Sequence, residues 1–216
     1  MFLDDLAMGE SLSTERAVDI LTSTALALSA HEANGTRYPD LHPLHLSIEA
    51  DERRIRVDLD DLPRDARPTA WWAAPEFMKE TPTPLAPCAA IFPLGMLGFE
   101  LLSRVPFLTF VRAWSGERHP VWPDSLESYL KASPSPFEDA VLSAPSVTWR
   151  DPGGHSARAR LLTWIFSTTR FDPQRRAGDL TRTLGPASEC FPVAASVAWL
   201  RNLRFSLDRR SHSFAA

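Results

Sequence analysis

Lysine is nearly absent from this chain of 216 residues: Lys79 and Lys131 are its only two. Chemistry that needs a lysine ahead of residue 79 is therefore excluded. Cysteine is equally scarce. Cys88 and Cys190 stand far apart, so the chain has neither a disulfide framework nor a CxxC pair for metal or redox work. No run approaches the roughly 18 apolar residues that a membrane helix needs. The opening MFLDDLAMGES has no basic start ahead of an apolar stretch, so no secretory signal is expected and a reducing, cytoplasmic compartment fits. A GxGxxG phosphate loop, a GxSxG nucleophile elbow and any internal repeat or low-complexity tract are missing as well.

What is present suffices for one sizeable core, with 44% hydrophobic and 23% charged residues. Charge is unevenly placed. From Arg150 onward there are 11 Arg against 5 acidic residues, a surplus of +6, so the first 149 residues carry −10. That asymmetry suggests intramolecular docking or an acidic partner for the tail, with Arg-rich solvated surface as the plain alternative. The tail has no nucleic-acid module and no interleaved stacking aromatics, so neither nucleic acid nor membrane is expected as a partner.

Ser13 is placed to cap a helix reaching about Ala33, with Glu15 in its first turn and Asn34-Gly35 as its stop. Val18, Leu21, Ala25 and Leu28 give that helix one apolar stripe. Leu44, Leu46 and Ile48 alternate, as do Ile55, Val57 and Leu59, which predicts a hairpin around EADER. A long Pro- and Thr-rich loop with Trp71 and Trp72 leads to CAAIFPLGMLGFELLSR. The latter is apolar on every side, as suits a helix at the centre of a domain, with Pro93 tolerable only near its start or at a kink. SLESYLKA and FEDAVLS are short helical candidates. SARARLLTWIF is a stronger one with Ser156 as its cap, and VAASVAWLRNLRF puts Val193, Val197 and Leu200 on one face, Arg201 and Arg204 beside it. That last face is expected to pack back on the domain.

The order helix, Asp-bearing loop, hairpin, acidic strand end, long loop, buried helix resembles the C-terminal lobe of a protein kinase. YPDLHPLHL is similar to the catalytic loop HRDLKPENI, with Tyr38 in the His position, Pro39 in the Arg, Asp40 in the Asp, His42 in the Lys and His45 in the Asn; Pro43 is retained. VDLD is similar to the DFG segment, placing Asp58 for Asp, Leu59 for Phe and Asp60 for Gly. Ala74-Pro75-Glu76 resembles the APE triplet. Leu94-Gly95, Glu100-Leu101-Leu102 and Pro106-Phe107 match the helix written DxWSLGxxLYELLxGxxPF, where Ala90 replaces Asp. DPGGHSARARLL resembles the later DPxxRxSAxxLL element, with His155 in the Arg position. The resemblance spans roughly Leu12 to Ile165. It implies a mainly α (α+β) fold: a kinase-like C-terminal lobe over residues 1–168 with a small β-hairpin, followed by an Arg-rich helical extension over 169–216.

Phosphoryl transfer relies on positioning and charge neutralisation. By the resemblance Asp40 is the remnant of the proton-accepting catalytic Asp, and equally a loop anchor; Asp58 is the remnant of the metal-binding Asp. No phosphate-gripping parts are expected, since fewer than forty residues precede Asp40 in this sequence, too few for an N-terminal lobe and its Lys. His45 offers imidazole where a hard magnesium ion wants oxygen. Asp60 adds negative charge where phosphate should approach, and His42 is neutral at pH 7. Pro39 removes the Arg that would receive an activation-segment phosphate. Glu76 loses its expected Arg partner at His155, with Arg158 or Arg160 as substitutes. His42, His45 and Asp40 form an alternative transition-metal set, opposed by Pro43 between the histidines and the lack of a nearby Cys. The expectation is a catalytically inactive pseudokinase-like module without cofactor, acting through a protein partner or self-association. The alternative is a Ser/Thr-kinase-like phosphotransferase, using ATP and magnesium, whose N-terminal lobe comes from elsewhere.

Overall fold

The structure is a computed structural model, and it describes residues 13–33, 41, 46–48, 55–57, 74, 76, 89, 91–103, 155–170 and 172–213. The described part is mainly α. Five α-helices are present among these residues: α1 (Thr14–Ala33), α2 (Ile91–Ser103), α3 (His155–Thr168), α4 (Pro173–Leu184) and α5 (Pro192–Ser213). A 3-10 turn, Pro186–Glu189, joins the last two. Strands β1 (Leu46–Ile48) and β2 (Ile55–Val57) pair antiparallel, with Leu46 opposite Val57 and Ile48 opposite Ile55. The residues joining them lie outside the described set, as do the helical candidates SLESYLKA and FEDAVLS.

Helix α1 starts where its cap predicts. The Ser13 hydroxyl accepts the Arg16 amide at 3.2 Å, satisfying one of the N–H groups that a helix start leaves open. Val18, Leu21, Ala25 and Leu28 are all buried, and Ala17 and Ile20 widen the stripe. Helix α2 is the centre of the domain. Every described side chain from Ile91 to Phe99 except the glycines is apolar and buried, and Pro93 is its third residue, where a missing N–H breaks no intrahelical bond.

Helix α3 lies against α2 at closest approach through two glycines. A Cβ on Gly95 would collide with the Thr168 hydroxyl and come within 2.8 Å of Thr169 Cγ2; one on Gly98 would meet Ile165 at 3.0 Å. Only hydrogen side chains let the two helices come this near. Helix α3 begins at His155, so Ser156 lies inside it rather than capping it. The shift is within the one or two residues by which helix ends vary.

The C-terminal helices share the same core. Leu180 of α4 and Val193, Val197, Leu200, Leu203 and Leu207 of α5 belong to one buried cluster with α1, α2 and α3. Helix α5 packs most extensively on α1. Arg204 bridges to Asp19 at 2.9 Å across that contact and to Asp208 along its own helix. Trp164 of α3 ties to α5 twice, donating its indole N–H to Ser196 at 3.1 Å and stacking on Trp199 with ring centroids 6.1 Å apart. No helix among the described residues is long and apolar enough to cross a membrane.

Candidate anchoring site around Glu76 and Arg176

The described polar chemistry converges on one buried ion pair. Arg176 is fully buried and Glu76 is 7% exposed. One terminal guanidinium nitrogen donates to Glu76 Oε1 at 2.6 Å and the other to Oε2 at 3.1 Å, a two-pronged fork that matches carboxylate geometry. The third nitrogen, Nε, donates to the Arg170 carbonyl at 3.0 Å. Phe92 of α2 lies beneath, its ring centroid 5.0 Å from the guanidinium carbon. The cation is thus held on its edges by oxygen and on its face by an aromatic ring. Such saturation is what burying a charge requires.

Local sequence puts Arg176 there. Asp172 caps α4, its carboxylate accepting the Gln174 amide at 2.8 Å, and Pro173 occupies the first helical position, where a fixed φ and a missing N–H suit the geometry. Gly185 ends the helix with φ 93°, a conformation that glycine adopts without strain. Between these stops only Arg176 and Leu180 point fully inward, one turn apart.

A second, solvent-facing cluster brackets α4. Arg170 donates to Asp179 at 2.6 Å and Arg182 reaches the same carboxylate from one turn on. Burial pushes the Asp179 carboxyl up, but hydrogen bonds and charge from Arg170 and Arg182 outweigh it and hold it below the ordinary carboxylate range.

The arginine that meets Glu76 is neither Arg158 nor Arg160. Arg160 lies over the Trp199 ring at 5.7 Å, on the α3–α5 side. Arg158 is 9% exposed, and burial pushes its guanidinium down to about 10, which leaves it charged at neutral pH. The partner comes instead from Asp172-Pro173-Gln174-Arg175-Arg176, a second occurrence of the Asp-Pro-x-x-Arg spacing, with its arginine intact. That spacing is the sequence signal for the contact, and it lies outside the Leu12 to Ile165 span of the resemblance, whose own DPxxR position is DPGGH at 151–155.

Asp40, His42, His45, Asp58 and Asp60 lie outside the described residues, and so do Pro39 and Ala90. Leu41, the residue after Asp40, is 1% exposed and belongs to the core cluster. Among the described residues no group of three His, Cys, Asp or Glu side chains is arranged to hold a metal ion. No protein-family model matches the chain, and no curated protein is significantly similar to it.

Proposed function

We propose that the chain is a catalytically inactive, protein-kinase-like module whose helices form the C-terminal lobe of that fold, with the β1–β2 pair as its small hairpin. It acts by binding a protein partner or a second copy rather than by transferring phosphate. One observation carries the reading: Glu76 of Ala74-Pro75-Glu76 is locked to Arg176 of Asp172-Pro173-Gln174-Arg175-Arg176 across 100 residues. In the fold the chain resembles, the Glu of the APE triplet finds its arginine in the DPxxR element, and the fork clamps the end of the activation segment to the lobe. The arginine contact that the APE resemblance implies is thereby made, by the DPxxR spacing at 172–176 rather than by DPGGH at 151–155.

Leu41 supports the same assignment, since the residue directly after Asp40 is buried in the core cluster. So does Leu94-Gly95 at the closest packing point of the central helix.

The case for inactivity rests on residue chemistry. His45 stands where an amide oxygen would hold magnesium, Asp60 where a glycine would admit phosphate, and His42 where a lysine would neutralise the transferring group. Asp40 and Asp58 remain as carboxylates without that apparatus, so no ATP or metal cofactor is assigned.

Thermal unfolding of the purified chain under an ATP titration, with magnesium and then manganese, tests this. A ligand at a hundredfold over its Kd stabilises the native state by about 2.7 kcal/mol, worth about 5–11 °C for a chain of this size. The expected result is no shift. A saturable, metal-dependent rise, accompanied by phosphate transfer that Asp40→Ala abolishes, would overturn the assignment.

A further inference from the structure

We draw no further inference here: the strongest candidate, the outward face of α5 where Phe191 at its N-terminal edge and Phe205 stand exposed with Ala198 between them, carries nothing because nothing among the described residues shows what covers it.

Discussion

Removing one partner of the Glu76–Arg176 fork should be among the most damaging single changes available in this chain. Arg176→Ala leaves a buried carboxylate facing nothing, strips a donor from the Arg170 carbonyl and empties the space over Phe92. Breaking a buried pair from one side costs about 3–5 kcal/mol, against a total stability of about 5–15 kcal/mol for a typical domain. For a chain of this size that is a fall of about 6–20 °C in Tm. Arg176→Lys should be intermediate, because an ammonium cannot make both prongs and the Nε bond together. The informative variant is the double one, Glu76→Met with Arg176→Met. With no charge left to desolvate, it should recover most of the loss, since a buried pair replaced by apolar side chains of similar volume is often neutral or better. Urea unfolding followed by tryptophan fluorescence reads all four proteins, with unchanged m-values as the check that the unfolded state is the same. An Arg176→Ala protein within about 1 kcal/mol of the parent, or a double variant no better than the single one, would refute the claim that this contact holds Glu76 in the core as a buried pair.

Three further perturbations have signs fixed by geometry. Gly95→Ala forces α2 and α3 apart at the Thr168 contact and should cost about 1–3 kcal/mol, whereas Gly178→Ala, on α4 with nothing within 4 Å of its Cβ, should gain about 0.5–1 kcal/mol; chemical denaturation separates the two. Because the native Asp179 carboxyl titrates below its unfolded value, it stabilises the fold fully above about pH 5 and loses that contribution as pH falls through the lowered native value. Asp179→Asn should therefore narrow the gap to the parent in acid and widen it at neutral pH, and a Tm-against-pH series that runs parallel for both proteins would contradict this. Ending the chain at Thr168 should strip the α1 face that α5 covers and remove Arg176 from Glu76. The fragment is expected to bind a hydrophobic dye and lose its near-ultraviolet dichroism, and a soluble, cooperatively unfolding 1–168 protein would show that the lobe stands without its C-terminal helices.

Local signals were readable in the sequence and long-range ones were not. The Ser13 cap and the 3.6-residue stripe of α1 act within a few residues of each other, so they specify Thr14–Ala33 without knowledge of anything else. The uniformly apolar run of α2 declared its own burial in the same way. Helix α4 escaped because it has no apolar stripe: its two inward side chains are Leu180 and an arginine. Its ends were nonetheless marked by Asp172-Pro173 and Gly185, cap residues that speak without periodicity. The tail's charge surplus left docking, an acidic partner and solvated surface open; Arg204 carries part of that charge to Asp19 on α1, while Arg182 stands exposed. What makes Arg176 an inside residue is Glu76, 100 positions earlier, and no window along the chain holds both.

The distribution of matches and departures bears on mechanism more than their number does. Under the proposed reading the retained residues are mechanical. Glu76 and Arg176 form a satisfied buried pair, Leu41 packs in the core, and Gly95 brings α2 onto α3; each contact works by packing or by a satisfied charge, whether or not a nucleotide is near. On the same reading the departures at His42, His45 and Asp60 fall on positions whose role in the family is to meet phosphate and magnesium. On that reading the chain keeps the packing contacts and lacks the groups that would stabilise a transferring phosphoryl group. Restoring the three groups together, as His42→Lys, His45→Asn and Asp60→Gly, should then leave unfolding unchanged within about 1 kcal/mol, the scale of ordinary surface and loop substitutions. A large loss of stability in that triple variant would mean that the departures are themselves structural, and the division between retained mechanics and discarded chemistry would fail.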